Sequence, residues 1–147
     1  MKKHVNLAHA NTPFKKKVLQ RIIADKVCPF CEEHFLKYHT KPIIKKGKYW
    51  ILTENFDPYE GTKHHLLAVS RIHTQAFDAM PQAAWPELFR LFDTELKRRK
   101  ISGGTMFMRF GDTNYTGGTV EHLHAQLLSG GKRPGKKPIH AKIGYYA

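Results

Sequence analysis

The segment His122-Leu123-His124-Ala125-Gln126-Leu127-Leu128 alternates nitrogen-bearing side chains with apolar ones. In a β-strand, successive residues point to opposite faces of the sheet. The pattern therefore predicts a strand that carries His122, His124 and Gln126 on one face and directs its apolar residues into the core. Such a strand would hold a row of polar side chains on a rigid support.

A glycine-containing loop leads into this predicted strand. Gly117 and Gly118 precede Thr119, and glycines let backbone amides approach an anion closely. The same glycines are also compatible with a simple turn between two strands. Imidazole groups next to a loop of this kind indicate phosphate chemistry.

The charge balance favours an anionic ligand. The chain of 147 residues has 25 Lys and Arg against 12 Asp and Glu, a formal charge of +13. A field of this sign attracts nucleic acid, a nucleotide with several phosphates or an acidic protein, although solvated basic faces would give the same composition. No apolar run approaches the length of a membrane span, and no apolar signal core follows the first residues, so we expect a cytoplasmic protein without a membrane partner.

Hydrophobic periodicity predicts an α+β fold. A short amphipathic helix is expected from Phe14 to about residue 23, a hairpin over residues 43–52, a strand over residues 65–69 and a long amphipathic helix that begins at Pro81. Strands over residues 105–110 and 122–128 complete a mainly antiparallel sheet. We expect residues 1–131 to form a single domain and residues 132–147 to form a basic tail that contains proline and glycine.

Two cysteines are separated by two residues. Cys28 and Cys31 have the spacing of a zinc half-site, of a redox pair or of two unrelated buried thiols. The redox interpretation is less favoured because no parallel βαβ pattern surrounds the pair. Zinc remains open on spacing alone, since it normally needs four nitrogen or sulfur ligands.

Taken together, these motifs resemble the histidine-triad superfamily. Residues 65–73 and 117–126 match its two most informative segments, and the similarity extends from about residue 28 to residue 130. Gln126 occupies the position of the third histidine, as in galactose-1-phosphate uridylyltransferase and the diadenosine tetraphosphate phosphorylases. The uridylyltransferase pattern is also resembled by the spacing of Ser70 and His73 and by that of Cys28 and Cys31. The resemblance implies a HIT-like fold.

The resemblance further implies a structural zinc ion. Its ligands would be Cys28, Cys31, His73 and His122. A site with two cysteines and two histidines has no open coordination position, which is typical of structural zinc. In this interpretation the first histidine of the polar row binds metal and does not contact substrate.

The resemblance assigns the chemistry to His124 and Gln126. A neutral imidazole can attack phosphorus near pH 7, so His124 is expected to form a covalent nucleotidyl-histidine while Gln126 donates a hydrogen bond to the phosphoryl group. The expected substrate is a nucleoside polyphosphate or nucleotide conjugate, with transfer favoured over fast hydrolysis. Six residues are expected to bind this substrate: Asp57, His65, Asn114, Gly117, Gly118 and Thr119.

Other functions remain compatible with the sequence. Family members of this size commonly form homodimers, and the same assembly is an expectation here. The main alternative is a catalytically weak module that binds a nucleotide or nucleic acid through its basic surface and keeps the structural zinc. A third is a small zinc-stabilised interaction module in which the histidines serve only the fold.

Overall fold

The computed structural model describes residues 4–133 and 135–147. Within them, two α-helices are followed by three β-strands, a third helix and two further strands. The helices are α1 (Pro13–Asp25), α2 (Glu32–Tyr38) and α3 (Ala84–Arg98). The strands are β1 (Ile43–Lys46), β2 (Trp50–Glu54), β3 (His64–Ser70), β4 (Thr105–Arg109) and β5 (His124–Ser129). Short 3-10 helices lie at Leu7–His9 and Thr113–Tyr115.

The five strands form one sheet in the order β1-β2-β3-β5-β4, and every neighbouring pair is antiparallel. Strand β5 lies between β3 and β4. Its register places His124 opposite Val69 of β3 and Arg109 of β4. His124 is therefore held by strand pairing on both sides. The predicted α+β class with a mainly antiparallel sheet is confirmed.

Helix α3 covers one face of the sheet. The alternate residues Leu123, Ala125 and Leu127 pack in the same buried cluster as Leu88 and Phe92 of the helix. A hydrogen bond of 2.8 Å from Trp50 Nε1 to the Ala84 carbonyl fixes the start of α3 against β2. The apolar half of the 122–128 alternation therefore forms the core, as the sequence predicts.

The opposite face of the sheet carries α1, α2 and the polar side chains. Thr12 caps α1 by accepting a hydrogen bond from the Lys15 amide, and Pro13 occupies the first turn, where its missing N–H costs nothing. Phe35 of α2 packs with Leu67 and Val69. Helix α2 was not predicted, because its seven residues are too few for a clear helical period.

Two elements begin two or more residues later than the sequence-based expectation. Strand β5 begins at His124 and not at His122, because the Leu123 amide donates to the Thr74 carbonyl in the loop after β3 and the Leu123 carbonyl accepts from the amide of Ser70, the last residue of β3. Helix α3 begins at Ala84 and not at Pro81. The Ala84 amide bonds to the Pro81 carbonyl at 2.9 Å, so Pro81 opens a tight turn that precedes the helix.

Helix α3 ends at a lysine in the left-handed backbone conformation. The amides of Lys100 and Ile101 bond to the carbonyls of Lys97 and Leu96, and Lys100 has φ of 54°. This is a Schellman cap with lysine where glycine is usual.

We expect Lys100→Gly to raise the free energy of unfolding by about 0.5–1 kcal/mol, because it relieves left-handed strain. Urea denaturation measures this change. Lys97→Gly, inside the same helix, should instead destabilise by about 1 kcal/mol. A loss of stability in Lys100→Gly would contradict the expectation.

No helix in the described part of the chain is long and apolar enough to cross a membrane.

Candidate active site and metal centre

A cleft opens on the polar face of the sheet, between α1, the loop after β2 and the glycine loop. It encloses about 760 Å³, counting the open space at its mouth. Its apolar lining consists of Val18, Leu19, Ile22, Pro29, Phe30, Phe56 and Leu67. Its polar lining consists of Lys15, Asp57, Arg109, Thr119, His124 and Gln126. Such a cleft suits a small ligand with an apolar ring system and an anionic group.

His124 is held in one tautomer. Its Nδ1 lies 2.6 Å from the backbone carbonyl of His122, and because a carbonyl oxygen only accepts, Nδ1 must carry the proton. The lone pair is then on Nε2. Burial lowers the pKa of His124 to about 4, so the ring is neutral near pH 7. The strand and the tautomer together present an unprotonated nitrogen in the wall of a cleft.

Gln126 is oriented by His65 from the neighbouring strand. The Tyr59 amide donates to His65 Nδ1 at 3.2 Å, which leaves the proton of this ring on Nε2. His65 Nε2 then donates to Gln126 Oε1 at 2.7 Å. Burial lowers the pKa of His65, which keeps the ring neutral. With Oε1 occupied, Gln126 has its NH₂ group left to donate to a ligand.

Two cations line the cleft. Lys15 Nζ lies 4.0 Å from Asp57 Oδ2, and burial lowers the Lys15 pKa although the Asp57 charge opposes this shift. Arg109 donates from Nη2 to the Tyr59 hydroxyl at 3.1 Å. Sequence reasoning missed both as site residues, because Lys15 belongs to a lysine cluster typical of a solvated helix and Arg109 ends a strand.

The residues predicted to bind substrate divide into two groups. Asp57, Gly117 and Thr119 line the cleft, and His65 contacts it through Gln126. Gly118 does not line it: its amide donates to Thr116 Oγ1 at 3.1 Å. Asn114 does not line it either: this residue is exposed, and its Oδ1 accepts a hydrogen bond of 3.5 Å from Asn6.

The C-terminal segment passes along the glycine loop. Arg109 Nη2 donates to the Lys142 carbonyl at 2.5 Å, and a Cβ atom at Gly117 would overlap Lys142. The Tyr145 ring lies 5.6 Å from the ring of His9. This part of the predicted basic tail therefore contacts the domain next to the cleft.

Four potential metal ligands converge beside His124. Cys28 Sγ lies 3.3 Å from His122 Nδ1, and Cys31 Sγ lies 3.3 Å from His73 Nδ1. The two Nδ1 atoms are 3.2 Å apart, and all four ligand atoms lie within 4.8 Å of one another. The fold thus joins the segment before α2, the loop after β3 and the residues before β5.

The chemistry of this cluster fits a zinc ion. His122 Nε2 donates to the Ser70 carbonyl at 2.7 Å, so its Nδ1 has a lone pair directed at the cluster. Burial raises the pKa of Cys28, and it raises that of Cys31 to about 12, a cost that a divalent cation would offset by stabilising the thiolates. Two cysteines and two histidines form a closed tetrahedral set, typical of structural zinc.

Comparison with solved structures shows the fold. No protein-family model and no curated protein sequence matches the chain. A histidine-triad family hydrolase from Clostridium thermocellum is 22% identical over 75% of this chain and 95% of its own, with a TM-score of 0.53. A histidine triad nucleotide-binding protein from Candida albicans is 14% identical over 76% and 86%, with a TM-score of 0.57.

A third structure, a zinc-bound histidine triad family protein from Mycobacterium smegmatis, is 16% identical over 76% of this chain and 79% of its own, with a TM-score of 0.55. The chain therefore has the histidine-triad fold. At these identities the likeness shows the fold alone.

Proposed function

We propose that the chain is an enzyme of the histidine-triad type, a nucleotidyltransferase or nucleotide phosphohydrolase. Its substrate is a nucleoside polyphosphate or a nucleotide conjugate, and its nucleophile is His124. The observation that carries this proposal is the bond from His124 Nδ1 to the His122 carbonyl, which leaves the lone pair on Nε2 in a cleft that Lys15 and Arg109 also line. The names of two similar structures, a hydrolase and a nucleotide-binding protein, agree with it.

The proposed reaction has two displacements. In the first, Nε2 of His124 attacks the α-phosphorus, the N–P bond forms, and the bond to the leaving-group oxygen breaks with its electron pair on that oxygen. In the second, an acceptor phosphate oxygen or water attacks the same phosphorus, and the N–P electrons return to Nε2. When water is the acceptor, its proton passes to solvent. The covalent intermediate divides one difficult displacement into two easier ones.

Gln126 restricts the leaving groups that this site can expel. Its amide can donate a hydrogen bond to a phosphoryl oxygen, but it cannot transfer a proton as a general acid does. A leaving group that departs as a stable anion, such as a phosphate or a polyphosphate, needs no such proton. Lys15 and Arg109 are placed to offset its charge. The site therefore favours phosphate leaving groups over amines.

The remaining cleft residues are assigned to binding. Asp57, with one oxygen that lacks a hydrogen-bond partner among the described residues, is suited to accept a hydrogen bond from a ribose hydroxyl. Gly117 and Thr119 face the phosphates. The apolar side chains of the cleft hold the base. Zinc, held by Cys28, Cys31 and the two histidines, would act as a cross-link between three segments and take no part in the displacement.

The test of this function is a search for the covalent intermediate. The protein is incubated with nucleoside triphosphates, dinucleoside polyphosphates and nucleotide sugars labelled at the α-phosphorus, then quenched in alkali, where a phosphoramidate survives. We expect mass spectrometry to find one nucleoside monophosphate on the peptide that contains His124. The absence of both adduct and turnover across the whole panel would contradict the proposal.

The net charge of +13 supports the alternative of a module that binds nucleic acid. Binding to oligonucleotides would then fall steeply with salt concentration. Substitution of His124 would leave that binding unchanged. This behaviour, together with no turnover of any nucleotide, would favour the alternative over the enzyme.

A further inference from the structure

His39 lines the cleft and has no role in the proposed reaction. It directly follows α2 and is 6% exposed. Its ring stacks on Phe35, with centroids 4.6 Å apart and planes 18° apart, and meets the edge of Phe56 at 5.9 Å. The side chain is therefore a polar group in a wall that is otherwise mostly apolar.

A chain of hydrogen bonds determines the tautomer of His39. Thr53 Oγ1 donates its single proton to a backbone carbonyl, with Pro42 at 2.9 Å as the nearest acceptor. The hydroxyl oxygen must then accept from His39 Nε2, which lies 2.8 Å away. Burial lowers the pKa of His39 to about 4, so the ring is neutral near pH 7. The proton is on Nε2 and the lone pair is on Nδ1.

The lone pair on Nδ1 has no protein partner. His39 Nδ1 is one of two buried side-chain polar atoms that lack a hydrogen-bond partner among the described residues; the other is Asp57 Oδ2. Both residues line the same cleft. A buried acceptor without a donor is costly, and such atoms are expected where a ligand supplies the missing group.

We propose that His39 selects the base of the bound nucleotide by accepting a hydrogen bond at Nδ1 from an exocyclic amino group. This inference rests on the proposed nucleotide site and adds its specificity. An amino group is the N–H donor that projects furthest from a base, so it is the group suited to reach an atom that is recessed in the wall, as His39 Nδ1 is. A base that presents a carbonyl there would place two acceptors against each other. The preferred ligands are thus nucleotides of adenine, cytosine or guanine, and not of uracil.

The test uses nucleotide pairs that differ by one amino group. These are AMP and purine riboside monophosphate, CMP and pyrimidinone riboside monophosphate, and GMP and IMP. Calorimetry of the wild type should show that at least one amino-bearing nucleotide binds about three- to tenfold more tightly than its partner. His39→Phe keeps an aromatic ring against Phe35 but removes the acceptor, and it should abolish this preference.

The outcomes separate the specificity of His39 from the proposed function. If nucleotides bind without any amino preference, or if the preference survives in His39→Phe, the role of His39 is wrong while the nucleotide site stands. If no nucleotide binds the wild type, both proposals are wrong.

A second measurement does not depend on the folding of the variant. The ¹⁵N spectrum of the wild-type imidazoles should show His39 Nδ1 as an unprotonated nitrogen, and its signal should move upfield when the preferred nucleotide is added. A protonated Nδ1, or a signal that the nucleotide leaves unchanged, would overturn the inference.

Discussion

His124→Asn is expected to lower the turnover of the best nucleotide substrate by roughly 10⁴- to 10⁶-fold, the range seen when a nucleophile is removed from an enzyme. Asparagine is the informative replacement, because its side-chain NH₂ can still donate to the His122 carbonyl that His124 Nδ1 contacts at 2.6 Å. What it lacks is Nε2. The change therefore removes the proposed attacking atom while the local hydrogen bond is kept.

The measurement is single-turnover kinetics with labelled nucleotide. Thermal unfolding and metal content should match the wild type, since His124 is outside the metal cluster. His124→Gly offers a stricter control, because added imidazole can occupy the vacated space and restore part of the reaction. Turnover within tenfold of the wild type in His124→Asn would exclude this residue as the nucleophile.

The same assignment predicts an unusual pH profile. The pKa of His124 is lowered to about 4 by burial, whereas an exposed imidazole titrates near ~6.5. The attacking form is the neutral ring, which is present above the folded-state pKa and is lost as pH falls through it. The contribution of His124 to the rate should thus stay constant from pH 8 to about 5 and decline near pH 4. A decline centred near ~6.5 would indicate an exposed or different base.

The sequence predicted the sheet and the polar face of β5 because these depend on local alternation. Alternation along the strand is enough to predict that Leu123, Ala125 and Leu127 face the core. The convergence of Cys28 with His122, 94 positions apart in the chain, could not come from periodicity. Only the resemblance to a family predicted that these two residues lie together, because long-range contacts leave no local pattern in the sequence.

Three residues that line the cleft could not be predicted from the sequence: Arg109, Lys15 and His39. Arg109 reaches the cleft because the β4–β5 register sets it opposite His124, and register depends on the whole sheet. In the sequence Lys15 belongs to a lysine cluster that is typical of a solvated surface, and only the packing of α1 on the sheet brings it to the cleft. His39 follows a helix too short to be predicted. In each case the position in the cleft depends on tertiary packing and not on neighbouring residues in the sequence.

Cys28→Ser is expected to reduce zinc from one ion per chain to a small fraction and to lower the free energy of unfolding by about 3 kcal/mol or more, because the binding energy of a structural zinc ion is part of the folding energy. Serine is close in size but does not form the anionic ligand that the cluster needs. The loss should be large because an ion bound by the cluster would connect the segment before α2, the loop after β3 and the residues before β5.

The measurements are metal analysis and urea denaturation of the protein purified from zinc-supplemented cells. A chelator should destabilise the wild type to a similar extent and have little further effect on Cys28→Ser, because both treatments remove the same cross-link. His34→Gln is the matched control: His34 lies on α2 only three residues after Cys31, outside the four-residue cluster, and should keep its zinc.

The candidate metal cluster and the proposed nucleophile share one short segment. His122 supplies Nδ1 to the cluster and its carbonyl to His124. Loss of the ion should therefore loosen the carbonyl that fixes the His124 tautomer, and turnover should fall in Cys28→Ser even where the protein remains folded. A folded, zinc-free Cys28→Ser protein with full turnover would show that the cluster and the nucleophile act independently, and that strand pairing alone orients His124.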